Sequence, residues 1–269
     1  MDEEVLVAVS PRHSVRLARE YQVLLERPPQ KDFVVRTITK REAQGMPLVA
    51  AEIVIGCEAT RQAFPLARQY PLHFRKTYFP GRLHGDPKEE FDRQQEASEI
   101  LGLPPPIGHT PDTFRNCLLP GTPYNRLSPF TTDTEEGNVS KARKLALATA
   151  AGLYYLLEAA FNSVSKLHQA GMAHGDAELH NFIVCPSPLE MLVIDFEAAA
   201  RRDALGDEAF EERLKVDFDP LLREAVFLQC SLGPQQGALA DLARARLDKL
   251  FKNPERFRRE MDENESPRA

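Results

Sequence analysis

Ala173-His174-Gly175-Asp176-Ala177-Glu178-Leu179-His180-Asn181-Phe182-Ile183-Val184 is followed, eleven residues after its last valine, by Asp195-Phe196-Glu197. An aspartate and an asparagine stand five apart, and a second aspartate closes the next apolar run. Phe182-Ile183-Val184 and Met191-Leu192-Val193-Ile194 have the length of short buried strands, with Pro186-Ser187-Pro188 as the turn between them. Such a hairpin is expected to bring Asn181 and Asp195 to one mouth. The residue types suit phosphoryl transfer from ATP. One carboxylate orients an acceptor hydroxyl and takes its proton, while an asparagine and a second carboxylate hold magnesium on the triphosphate.

The pattern HGDxxxxN followed by IDFE resembles the catalytic loop and metal-binding motif of the protein-kinase-like superfamily. It looks closest to the atypical branch that includes aminoglycoside and choline phosphotransferases and small lineage-specific kinases. The resemblance implies Asp176 as catalytic base, Asn181 as a metal ligand, Asp195 as the principal metal ligand and His174 as a brace for the loop. ATP and Mg2+ are the cofactors it implies. It extends over Leu48 to Leu232 and is strongest in Leu167 to Ala198. A second HGD, His84-Gly85-Asp86, serves as a control. The fifth residue after Asp86 is Phe91, and no apolar strand follows. Asp86 reads instead as a helix N-cap with Pro87 in the first turn, so the context carries the inference rather than the tripeptide.

The chain of 269 residues has 34 basic and 40 acidic side chains, a net charge of −6. That balance argues against nucleic acid as the default partner. Cys57, Cys117, Cys185 and Cys230 form no CxxC pair and read as buried apolar residues of a reducing compartment. The start Met1-Asp2-Glu3-Glu4 lacks the features of a signal peptide. The longest apolar stretch, Leu145 to Leu157, is too short to span a membrane. These features point to a cytoplasmic protein.

Helical spacing of apolar residues runs from Ser14 to Arg27 and stops at Pro28-Pro29. Phe33 to Thr39, Leu48 to Ile55, Leu72 to Phe79 and Thr113 to Leu119 read as strands. Asp86 to Leu101 reads as a helix closed by Gly102. Thr131 to Asn138 is a polar connection, and Lys141 to Gly171 is one long helical pattern or two in succession. Glu208 to Lys215, Pro220 to Leu232 and Gly237 to Phe251 are further helices. Strands first and helices after give the expected fold: α+β, bilobal and protein-kinase-like, with a β-rich N-lobe and a helical C-lobe. The expected divisions are an N-terminal extension over 1–45, the N-lobe over 46–119, the C-lobe over 120–252 and a charged tail over 253–269.

Kinase chemistry needs a cation on the phosphates, backed by a helix glutamate. Lys76, on the strand Leu72 to Phe79, fits that role, and Glu96, twenty residues on in the next helix, is its expected partner. Arg75 is a rival for the lysine's role, and Glu99 for that of Glu96. No glycine triplet is present. Gly56, in Ile55-Gly56-Cys57-Glu58-Ala59-Thr60-Arg61, is the one glycine available to approach phosphate, with Thr60 and Arg61 as possible contacts. Cys117-Leu118-Leu119-Pro120-Gly121 resembles the segment whose backbone holds adenine, which makes Cys117 and Leu119 candidate nucleotide contacts. Gly175 stands where regulated protein kinases carry arginine, and Glu197 stands where they carry glycine. The expected activity is transfer of the γ-phosphoryl of ATP to a hydroxyl of a protein or a small molecule. The alternative is a pseudokinase acting as a nucleotide-binding scaffold.

Overall fold

A computed structural model of the chain describes residues 8–9, 21–43, 46–79, 86–124, 156–186 and 189–231. The expected connection at 131–138, the helix at 237–251 and the charged tail lie outside these residues. The chain divides into two compact units: Met1–Thr122 with Ile194–Ala198, and Pro123–Val193 with Ala199–Ala269.

The first unit is built on a five-stranded antiparallel sheet of β1 (Phe33–Ala43), β2 (Met46–Ile55), β3 (Leu72–Tyr78), β4 (Gly108–His109) and β5 (Thr113–Cys117), in the order β1-β2-β3-β5-β4. β1 and β2 pair from Phe33↔Ile55 to Ala43↔Met46. The expected extension over 1–45 therefore contains the sheet's first strand, and a boundary at residue 45 would cut a hairpin. The expected strand reached only Thr39 because the alternation that marks β1 gives way to the charged run Lys40-Arg41-Glu42. Of the helical pattern at 14–27, the described part is α1 (Gln22–Glu26).

Two short helices, α2 (Glu58–Ala63) and α3 (Pro65–Gln69), occupy the connection between β2 and β3. α4 (Pro87–Leu101) begins and ends where capping chemistry dictates. Asp86 accepts the Lys88 amide at 2.8 Å, Pro87 opens the first turn, and Gly102 closes the helix in the left-handed region at φ 69°. Its buried face carries Glu90, Gln94, Ala97 and Ser98 at helical spacing.

One sheet face is apolar around Ile53, Phe74 and Phe114, all buried. The other carries a buried ionic cluster. Asp32 binds Arg75 at 3.1 Å and Arg115 at 2.7 Å, and Arg75 also binds Glu52. Arg115 donates to His73 Nε2 at 2.9 Å while His73 Nδ1 donates to the Tyr70 carbonyl. A guanidinium can only donate, so Nε2 must stay unprotonated. Burial and the Arg115 charge lower the His73 pKa to about 4.

In the second unit, α5 (156–169) leads into β6 (Met172–Ala173). The hairpin expected from the two apolar runs is present: β7 (Phe182–Pro186) pairs with β8 (Leu189–Val193), with Phe182 opposite Val193. β9 (Ala200–Arg201) returns to pair with β6. After α6 (Arg202–Leu205), the chain forms one helix, α7 (Asp207–Ser231), rather than the two expected on either side of Pro220. Phe161 and Phe218 stack at 4.5 Å, and Phe210 and Leu214 pack on Ala173, so α7 lies against the strand that leads into the loop at His174.

Candidate active site

In the first unit, β3 carries Lys76 on the apolar face, with its side chain 11% exposed. Its Nζ lies 3.2 Å from Glu90 Oε1, 2.5 Å from Glu197 Oε2 and 3.8 Å from Asp195 Oδ1. The helix partner is thus Glu90, not Glu96. The two residues are six apart, which turns Glu96 away from the face that α4 presents to the sheet. Glu90 is buried and also accepts the Tyr78 hydroxyl. Burial pushes the Glu90 carboxyl up to about 6 against the pull of Lys76. Burial also works to lower the Lys76 pKa, but the surrounding carboxylates outweigh it and hold the ammonium well above its ordinary range. The rival Arg75 points to the opposite face, into the Asp32 cluster.

Asp195 and Glu197 belong to this unit through the segment Ile194–Ala198. The segment is fixed by the buried Phe196 and by Arg93, which donates to the Glu197 carbonyl at 2.5 Å. Asp195 has φ 64°, a left-handed conformation that aspartate tolerates better than most residues. Its Oδ1 is buried without a hydrogen-bond partner. A buried acceptor left unsatisfied calls for explanation, and an acceptor-only carboxylate oxygen is the donor that a hard cation such as Mg2+ takes. Among the described residues no group of three or more His, Cys, Asp or Glu forms a metal cage. Magnesium in nucleotide sites is held by one or two carboxylates, substrate phosphates and water, so Asp195 fits it.

The phosphate contacts expected around Gly56 are not available. The Gly56 amide donates to the Pro71 carbonyl at 2.9 Å. The Cys57 amide and the Thr60 hydroxyl both donate to Asp32 Oδ1, at 2.9 and 2.8 Å. Arg61 is spent on the carbonyls of Gly56, Leu24 and Leu25. Asp32 thus occupies the anion cradle at the start of α2. Gly56 follows the second strand, whereas residues 44–45, between the first two strands, lie outside the described residues. At the end of β5, the Cys117 amide donates to Asn116 Oδ1 at 2.8 Å, and burial pushes the Cys117 thiol up to about 11. Leu119 pairs with Ala8 in a short parallel bridge.

In the second unit the loop His174–Asn181 is braced from both ends. Gly175 has φ 82°, a conformation suited to glycine, which accounts for that residue before Asp176. The Asp176 amide donates to His174 Nδ1 at 3.2 Å. Asn181 donates its side-chain amide to the Asp176 carbonyl at 2.8 Å and to Asp176 Oδ2 at 3.1 Å, leaving its own carbonyl oxygen as the atom suited to a metal. Asp217, fully buried on α7, accepts the amides of His174 and Gly175, each at 2.7 Å, and His168 Nε2 at 2.9 Å. Arg213 adds a bond to the Gly175 carbonyl at 3.2 Å. Sequence reading missed Asp217. No local pattern marks it, because its partners lie 42 to 49 residues earlier.

Residues 151–246 match the lipopolysaccharide kinase (Kdo/WaaP) family, which lies within the protein-kinase-like superfamily. The matched stretch includes the loop from His174 to Asn181, the β7–β8 hairpin and Asp195. The chain is therefore similar to kinases that phosphorylate a hydroxyl acceptor. No curated protein matches it. No described helix is long and apolar enough to cross a membrane.

Proposed function

We propose that this chain is a magnesium-dependent kinase that transfers the γ-phosphoryl of ATP to a sugar hydroxyl in the cytoplasm. The observation that carries the reading is the buried Lys76, backed by Glu90 and facing Asp195 with its unsatisfied carboxylate oxygen. Lys76 steadies the phosphates. By the sequence motif, Asn181 and Asp195 are the residues that would hold magnesium, which would supply charge neutralisation on the transferring group. Asp176 accepts the proton of the attacking hydroxyl, its Oδ2 tethered by Asn181. The protein contributes mainly positioning and charge stabilisation. The N-lobe of this proposal begins at Phe33, and the helical C-lobe follows Pro123. The sugar acceptor is favoured over a protein serine or threonine by the name of the matched family and by the absence of an arginine before Asp176.

The test is transfer from γ-labelled ATP in a cell extract, comparing the parent with Asp176→Asn. Label is separated into protein, small-molecule and glycolipid fractions. Label in a sugar or glycolipid that falls by about 10²–10⁴ in the variant supports the proposal. Label confined to protein would make the chain a protein kinase. Magnesium-dependent ATP binding without transfer to any fraction would favour the scaffold.

A further inference from the structure

We propose that Glu197 is an internal counter-ion of Lys76 that nucleotide phosphates must displace, so that this one side chain sets the threshold for nucleotide entry. The inference rests on the reading of Lys76 as the phosphate-binding cation. The ligands of Lys76 are graded in depth. The Glu90 side chain is 4% exposed, Asp195 25% and Glu197 35%. Glu90 is the inner support, tied also to Tyr78, while Glu197 takes the solvent side, from which a polyphosphate would approach. It also makes the shortest of the three contacts, 2.5 Å.

Backbone and side chain of Glu197 are held separately. Arg93 grips the carbonyl and Phe196 is fully buried next to it, so the carboxylate can leave Lys76 while the segment stays in place. Charge favours that exchange. Three carboxylates around one ammonium make the cluster net negative before any phosphate arrives. Adding phosphate while Glu197 stays in place would deepen the excess; replacing Glu197 with a phosphate oxygen limits it.

The experiment compares the parent with Glu197→Gln by two readouts on the full chain. The first is the rate at which an amine-reactive acylating reagent labels Lys76, followed by peptide mass spectrometry. The second is the affinity for ATP with magnesium, measured by calorimetry. Glu197→Ala is run alongside, because glutamine can still accept a hydrogen bond from the ammonium. Both variants are expected to label Lys76 faster and to bind ATP roughly fivefold more tightly, the equivalent of about 1 kcal/mol, the upper end of what a solvent-accessible ion pair contributes. Unchanged labelling, or affinity equal to or weaker than the parent's, overturns the proposal. Equal binding by parent and variants leaves the kinase reading standing without it. Failure of all three proteins to bind ATP removes both.

Discussion

Lys76 concentrates the electrostatics of the first unit in one atom, and its partners say what its removal would cost. Truncating one member of a buried ion pair typically costs about 3–5 kcal/mol because the other charge is stranded. Glu90 has an alternative, since burial already holds its carboxyl at about 6 and it can take up a proton. In Lys76→Met the folded pKa of Glu90 rises further above its unfolded value. The folded state then binds more protons than the unfolded state, so the variant's stability is greatest at low pH and is lost as pH rises through the folded pKa. Urea unfolding of parent and Lys76→Met is expected to show a deficit of a few kcal/mol at pH 8 that shrinks markedly at pH 5. A deficit independent of pH would mean that Glu90 is not the stranded group. Lys76 was legible because β-strand alternation singles it out on an apolar face, and Asp195 because it closes an apolar run. Glu90 was not. A count of residues along the chain cannot fix the phase of a helix, whereas the packing of α4 on the sheet does.

At the scale of elements, capping and alternation disclosed α4, most of the sheet and the β7–β8 hairpin. The elements that hold the site in place came from long-range pairing. Asp32 bonds to partners 25 to 83 residues away and Asp217 to partners 42 to 49 residues away, distances at which no sequence periodicity operates. Asp217→Ala should therefore act on a whole element. It leaves the buried amide of His174 and the part-buried amide of Gly175 without their acceptor, at about 1–3 kcal/mol for each unsatisfied group. The expected loss is about 3–5 kcal/mol in urea unfolding, with phosphate transfer falling further than ATP binding because the catalytic loop is what loosens. Equal loss of both would assign Asp217 to general stability alone. The opposite sheet face makes a different prediction. His73 is held neutral between Tyr70 and Arg115, at a pKa of about 4 against 6.5 in the unfolded chain. Between those values the unfolded chain binds the extra proton. The contribution of His73 is thus complete above pH 6.5 and lost as pH falls through 4, on the order of 3 kcal/mol in all. Glu90, raised to about 6, works the other way between 4.5 and 6 and partly offsets it. Ring-nitrogen NMR separates the two: His73 should remain the Nδ1–H tautomer down to pH 5. An imidazolium signal at pH 6 would contradict this hydrogen-bond assignment.

For the whole molecule, the site's charge sets function against stability, and ligand-linked unfolding can read both. Asp195 occupies a left-handed conformation, leaves a buried oxygen without a hydrogen bond, and adds negative charge beside Glu90 and Glu197. The charge attracts Lys76 across 3.8 Å but repels Glu90 and Glu197, and the backbone conformation and the unsatisfied oxygen do not favour the folded protein; such strain persists only where the surrounding structure over-determines it. Asp195→Asn keeps the side chain's shape, suits the same backbone conformation and removes one charge from the excess. Without ligand, the variant should unfold at a temperature equal to or above the parent's. A ligand that binds only the folded state adds RT ln(1 + [L]/Kd), about 2.7 kcal/mol at a hundredfold excess over Kd. For a chain of this size that corresponds to a rise in Tm of several degrees. ATP with magnesium should give the parent this rise, and chelation of the metal should remove most of it. Asp195→Asn should show little of it under either condition. A variant less stable than the parent without ligand, yet shifted equally by ATP and magnesium, would show that Asp195 serves the fold rather than the metal.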